Sequence, residues 1–320
     1  VRYRRVGNTG LTVSELGIGT WSLVMDWWGA DVNKAEEILR EAYKEGITFF
    51  DTADLYGKGR GEELLGKVLT TVRDKVIILT KIGYDFYSGD TKKQNFSPEY
   101  LEKALSLSLS RLNTDYIDVL MIHNPRMSVI QSKEVRDTLE GFRRDGKARV
   151  VGVALGPTLG WREEGLKAIE MNYQALEHIF SLIEREPGLD FLKSQIGHFV
   201  RVPHASDVLD EERWYTFGNV KMHRALKDSK WLSRALECAR ELKEKLGIPL
   251  HRLALKYVLS EKNVSSVIPN ITSKADVRRF KEDVESPDLD DYTLQLLNDF
   301  YHAKFKELNR ESEEETVIYK

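Results

Sequence analysis

Eight short apolar runs alternate with longer stretches of helical periodicity, and no other feature constrains the fold of this chain so tightly. The runs cover residues 16–19, 47–50, 76–80, 116–122, 149–154, 176–180, 199–202 and 264–268. Between the first two, apolar residues recur at Ala35, Ile38, Leu39 and Ala42, the spacing of one helix face. Similar patterns predict helices over 61–69, 97–112, 132–144, 163–171, 187–194, 230–246, 250–259, 274–284 and 290–308. Ser97-Pro98-Glu99 supplies an N-cap, a first-turn proline and a first-turn acid for one of them. A polar stretch over 203–228 predicts a long loop, and the charged segment 309–320 a flexible, frayed tail.

Strands separated by helices pair in parallel, because each helix carries the chain back to the starting edge of the sheet. With eight strands and no linker rich in Pro, Gly or Ser in 320 residues, the pattern predicts one α/β domain over 1–320. Its expected form is a (β/α)8 TIM barrel with extra C-terminal helices. A hairpin precedes it, from residues 3–6 and 11–13 around the turn-rich Gly7-Asn8-Thr9-Gly10. A doubly wound sheet is the competing architecture, but its usual G-x-G-x-x-G is incomplete at Gly17-Ile18-Gly19.

Composition narrows the functions. Lys and Arg number 48 against 51 Asp and Glu, a net charge of −3, so the basic excess of a nucleic-acid binder is missing. Cys238 stands alone, which excludes an intrachain disulfide framework and suits a reducing, cytoplasmic setting. No apolar run approaches the ~18 residues of a membrane span, and the charged Val1-Arg2-Tyr3-Arg4-Arg5 is not followed by a signal-peptide core. The histidines show no H-x-x-x-H or H-E-x-x-H spacing, so no metal site is expected. The expected partner is a small molecule; the sequence leaves the oligomeric state open.

Three apolar runs stop at a strong polar group: Asp51 after the second, Lys81 after the third, His123 after the fourth. Tyr56 follows Asp51 by five residues. Each alone has an ordinary structural use, as a loop cap, a snorkelling cation or a core imidazole. In a barrel, however, strand ends share one mouth, so all four converge there. A tyrosine hydroxyl is a weak acid at neutral pH, and a nearby ammonium is expected to lower its pKa. Asp51 would orient Lys81, and His123 could donate to a carbonyl oxygen. Such a set suits carbonyl reduction, and since it carries no hydride, a reduced nicotinamide is implied.

These residues lie in segments that resemble the aldo-keto reductase superfamily. The likeness covers the hairpin, Leu16-Gly17-Ile18-Gly19-Thr20-Trp21, Phe49-Phe50-Asp51-Thr52-Ala53-Asp54-Leu55-Tyr56-Gly57 and Gly61-Glu62-Glu63-Leu64-Leu65-Gly66. It continues through Thr80-Lys81, Tyr116-Ile117-Asp118-Val119-Leu120-Met121-Ile122-His123 and Ser266-Val267-Ile268-Pro269. It implies a (β/α)8 barrel that reduces aldehydes or ketones, or runs the reverse oxidation, with a nicotinamide cofactor. By the same resemblance Tyr56 is the general acid, Asp51 and Lys81 tune it, and His123 orients the carbonyl.

The resemblance places the cofactor along Thr20, Ala154, Glu177, Arg201, Val202, Pro203, Ile268, Pro269, Asn270, Thr272, Ser273, Asp276 and Arg279. Here the chain departs from the family pattern. Ala154 and Leu155 stand where Ser-Asn usually holds the carboxamide, and Glu177 stands in place of Gln. A carboxylate accepts from an amide NH₂ but cannot donate to its carbonyl. Arg201, a flat group able to stack, replaces the usual aromatic. NADP(H) is the family default. Asp276 would repel a 2′-phosphate and favour NAD(H), unless Lys274, Arg278 and Arg279 compensate. Trp21, Trp27, Trp28, Tyr84 and Phe86 follow the first and third strands and are expected to line the substrate pocket, with Asn124 beside them. The altered carboxamide positions leave an alternative: a barrel that binds nicotinamide as a redox signal with little turnover, like the cytoplasmic β subunits of potassium channels.

Overall fold

The computed structural model describes residues 1–25, 31–218 and 222–315. Two antiparallel strands, β1 (Tyr3–Arg5) and β2 (Thr12–Ser14), form the hairpin. Eight parallel strands follow: β3 (Gly17–Gly19), β4 (Phe49–Asp51), β5 (Ile77–Ile82), β6 (Ile117–His123), β7 (Ala148–Ala154), β8 (Ala175–Ile179), β9 (Gly197–Arg201) and β10 (Val264–Ile268). Each pairs with the next in chain order, and a parallel bridge between Leu16 and Val267 brings the last strand back to the first. The chain is thus a (β/α)8 barrel.

The helices are α1 (Trp21–Val24), α2 (Ala35–Lys44), α3 (Arg60–Leu69), α4 (Pro98–Leu112), α5 (Met127–Gln131), α6 (Lys133–Arg144), α7 (Arg162–Glu170) and α8 (Gly188–Phe191). After β9 come α9 (Ser229–Leu246), α10 (Leu250–Ser260), α11 (Lys274–Glu285), α12 (Asp291–Phe300) and α13 (Lys306–Glu315). Ser97 caps α4 as its sequence predicts, accepting from the Tyr100 N–H.

Two apolar layers hold the barrel. The outer one packs strand residues such as Phe50, Ile78, Leu120 and Leu176 against the helices. The inner one fills the lumen with Phe49, Leu79, Val119, Met121, Val150 and Phe199, and the hairpin closes its lower end with Val6, Leu11 and Val13. Phe49 and Phe199 stack across the lumen with centroids 4.7 Å apart. Fully burying one such ring contributes roughly 1.5–3 kcal/mol.

Side chains alternate along a strand, so the residues two positions above this lumen layer also face inward. They are Asp51 above Phe49, Lys81 above Leu79, His123 above Met121, Glu177 above Ala175 and Arg201 above Phe199. The apolar layer is the floor and these polar residues are the ring at the C-terminal mouth.

Three expectations change. Residues 309–315 are not a frayed tail: α13 runs through them, and Asn309 and Ser312 are buried. The Asn309 side chain accepts from the backbone N–H groups of Arg185 and Glu186, and the Trp231 indole donates to the Leu308 carbonyl. High charge misleads there because only one helix face is wet. The helix expected over 187–194 shrinks to the single turn of α8, starting after the cis bond Glu186–Pro187. Val202, expected in a strand, lies beyond β9 with φ +57°.

Candidate active site

The loop after β4 carries Tyr56 to the mouth. It is tied to β5 by two backbone bonds, Thr52 N–H to the Leu79 carbonyl (2.9 Å) and Asp54 N–H to the Lys81 carbonyl (3.1 Å). It then turns sharply through Gly57, Lys58 and Gly59, all at positive φ, before α3 begins. Two glycines meet that demand at low cost. The turn leaves the Tyr56 ring edge-on to Trp21 (4.9 Å) and to His123 (5.9 Å).

Lys81 is the hub. Its Nζ donates to Asp51 Oδ1 (2.5 Å), to the Thr52 carbonyl (3.0 Å) and to Tyr56 Oη (3.3 Å). Glu177 Oε2 lies 3.1 Å from the same Nζ, an ion pair too far out of line to be a hydrogen bond. Glu177 Oε1 faces Arg201 Nε at 3.4 Å. The Arg201 Nη2 donates to the carbonyls of Leu155 (2.7 Å) and Gly156. The His123 ring is buried, and its Nδ1 has no hydrogen-bond partner among the described residues.

These neighbours set the protonation states. Burial raises the Tyr56 hydroxyl above its usual value, and although Lys81 lowers it, Asp51 and Glu177 add to the rise. The sequence-based expectation of a lowered hydroxyl is therefore corrected: desolvation and two carboxylates outweigh the Lys81 ammonium and the Arg201 guanidinium. Burial works against the Lys81 charge, yet Asp51 and Glu177 keep its ammonium above the usual lysine value. Burial, then the charges of Lys81 and Arg201, hold the His123 imidazole well below its ordinary range, so it is neutral. Burial and then Glu177 push the Asp51 carboxyl up, against the pull of Lys81.

A cavity of about 540 Å³ opens over this ring. Of the residues expected at the site, it brings together Asp51, Tyr56, His123, Ala154, Glu177, Arg201, Val202, Pro203, Ile268, Pro269, Asn270, Trp21, Tyr84 and Asn124. Asn124 donates to the Tyr84 hydroxyl at 3.0 Å. Others point elsewhere. Phe86 is buried against Tyr87, outside the cavity wall. Thr20 bonds Thr52 through their hydroxyls (2.7 Å) and is not part of the cavity lining. Trp27 and Trp28 lie outside the described residues.

The start of α11 is occupied by its own contacts. Ser273 caps the helix by accepting from the Asp276 N–H, and Thr272 donates to the Asp276 carboxylate. Asp276 also pairs with Arg213 (2.9 Å). Although buried, its carboxyl stays below the usual value because of Arg213 and the Thr272 N–H. Arg279 makes two bonds to Asp210 (2.7 and 2.9 Å). Arg278 pairs with Glu41 (2.6 Å) and Lys274 with Glu37 (3.0 Å).

Sequence reasoning missed one wall. Ala205, Ser206 and Asp207 form a left-handed run at φ +47°, +58° and +67°, and Ser206 and Asp207 line the cavity. Backbone strain of this kind costs on the order of 1–3 kcal/mol per residue and clusters at functional sites. Its only sequence signal was the absence of helical or strand periodicity in the stretch after β9.

The parallel barrel thus carries a lysine–tyrosine–carboxylate cluster at its C-terminal mouth. The chain belongs to the aldo/keto reductase family, whose model matches residues 15–301. It is 30% identical over 299 residues to an uncharacterised oxidoreductase, YqkF, of Bacillus subtilis (strain 168), covering 89% of this chain and 91% of that one. It is also 30% identical over 310 residues to the L-galactose dehydrogenase of Arabidopsis thaliana, covering 92% of each. Among solved structures it resembles the holo form of the aldo-keto reductase AKR11C1 from Bacillus halodurans. That match has a TM-score of 0.78 and 28% identity over 93% of this chain and 96% of the other. The chain is therefore an oxidoreductase of the aldo-keto reductase type.

Proposed function

We propose that this chain reduces a small aldehyde or ketone to an alcohol, or runs the reverse oxidation, with a nicotinamide cofactor and with Tyr56 as proton donor. The observation that carries the reading is the 3.3 Å contact between the Lys81 ammonium and the Tyr56 hydroxyl at the wall of the cavity. When bound, a reduced nicotinamide supplies the hydride. The residues of the chain do the rest. Tyr56, raised by burial and protonated at neutral pH, gives its proton to the oxygen that becomes the alcohol. Lys81 stabilises the tyrosinate left behind, which is where its charge is worth most. His123, being neutral, keeps one N–H to offer the carbonyl oxygen.

The residues fit the cofactor unevenly. Next to the phenol, the buried Glu177 carboxylate and the Arg201 guanidinium suit a flat polar ring. The left-handed run at 205–207 fits the tight backbone approach that phosphate groups need. At the start of α11, each of the cations Lys274, Arg278 and Arg279 is already paired with a carboxylate of this chain. A 2′-phosphate there would have to draw one of these cations away from its carboxylate, Arg279 being shared between Asp210 and Asp276, which supports NAD(H) over the family default of NADP(H). Titrating tryptophan fluorescence with both cofactors is expected to show NADH binding roughly tenfold or more tightly than NADPH, the cost of leaving one charged group unpaired. Equal affinities would remove this preference.

The function itself is tested by assaying aldehydes, ketones and sugars with the tighter cofactor, in both directions and across pH. Turnover with any of them supports the reading. Tight binding with none would instead make the chain a nicotinamide-binding regulatory barrel.

A further inference from the structure

Glu177 has a place beside the cofactor but so far no part in the proton transfer. Glu177 is buried in the middle of β8, and among the described residues its Oε2 has an ion pair but no hydrogen bond. Burying a carboxylate is costly unless cations pair with it, so the contacts it makes need a reason. It touches two cations from two strands: Lys81 on β5 at 3.1 Å and Arg201 on β9 at 3.4 Å.

We propose that Glu177 is a positioning residue for proton transfer: it shares the Lys81 ammonium with Asp51 and, through Arg201, ties that ammonium to β9 and the segment after β7. The inference rests on the proposed function and deepens it. The Lys81 side chain is long and flexible, and Asp51 with the Thr52 carbonyl would hold it from one side only. Glu177 holds it from β8. Arg201 in turn is anchored on the Leu155 and Gly156 carbonyls. The ammonium is thereby fixed within reach of Tyr56 by strands on opposite sides of the mouth.

The sharing has an electrostatic consequence. The charged and titratable groups around Glu177 are Lys81, Arg201, Asp51, Tyr56 and, across the mouth, His123. Glu177 opposes ionisation of both Asp51 and Tyr56. Removing its charge while keeping its shape lets Asp51 ionise at lower pH and leaves the Lys81 field on Tyr56 less offset. Both limbs of the pH–rate profile then move to lower pH.

The experiment compares kcat against pH for the parent, Glu177→Gln and Glu177→Asp. The expected result is a profile shifted down by roughly one pH unit in Glu177→Gln. In Glu177→Asp, which restores the charge, the profile returns toward the parent. A Glu177→Gln profile that superimposes on the parent overturns the inference. So does a variant whose only change is cofactor affinity, since a carboxamide contact alone would do that. If the parent turns over no carbonyl, the proposed function fails but Glu177 is still tested. The Asp51 carboxyl, pushed up to about 7 in part by Glu177, is followed by carboxyl NMR against pH in the parent and in Glu177→Gln, with Asp51→Asn identifying its signal, and reads the same shift without turnover. An Asp51 titration that does not move in Glu177→Gln overturns the inference.

Discussion

Replacing Tyr56 with Phe is expected to lower kcat by about 10²–10⁴-fold, the usual worth of a positioned proton donor. Cofactor affinity should stay within a few-fold of the parent. The reason is local. Phe keeps the ring that meets Trp21 and His123 edge-on. Lys81 loses its longest bond, 3.3 Å to the hydroxyl, but keeps those to Asp51 and the Thr52 carbonyl. The fold and the electrostatic ring therefore survive, and the proton does not. Steady-state kinetics beside a fluorescence titration separates the two effects. A variant that reduced aldehydes at the parental rate would remove Tyr56 from the role of acid, and the proton would have to come from solvent or from His123.

Lys81→Met is expected to abolish measurable turnover and, unlike Tyr56→Phe, to destabilise the protein. Lys81 is buried between Asp51 and Glu177, and nothing in methionine replaces its charge. Breaking a buried ion pair from one side typically costs about 3–5 kcal/mol. Part of that cost can be escaped by protonating the stranded Asp51 carboxyl, which gives the loss a pH dependence of definite sign. The Asp51 carboxyl is already raised in the fold by burial and by Glu177, and loss of Lys81 raises it further. A carboxyl raised in the folded state binds its proton more tightly there than in the unfolded chain. Its stabilising contribution is complete below about pH 4, the ordinary carboxylate value, and fades as pH rises through the folded value. The Tm of Lys81→Met should thus lie close to the parent at pH 4 and fall below it by on the order of 10 °C at pH 8. A uniform deficit at both pH values would mean that lost packing, not stranded charge, is responsible.

Much of the site was legible because barrel geometry turns strand ends into one surface. Asp51, Lys81 and His123 each terminate an apolar run, and period-two alternation puts all three on the lumen side of their strands. Glu177 and Arg201 obey the same parity, two residues above Ala175 and Phe199. Their part was less visible because a carboxylate and a guanidinium on separate strands show no pairing in sequence.

The chain's own periodicity was enough for the barrel, the hairpin and the residues of the mouth, because both 3.6- and 2-residue repeats are local and every strand ends at the same face. Three things depended on contacts between distant segments. The charged segment after residue 308 became a docked helix through Asn309, which satisfies backbone groups more than 120 residues away. Lys274, Arg278 and Arg279, which looked able to receive a phosphate, were already paired with Glu37, Glu41 and Asp210. And the Tyr56 hydroxyl, expected to fall beside an ammonium, rose instead. Desolvation and the sum of opposing charges are set by everything packed around a group, and no local spacing records them.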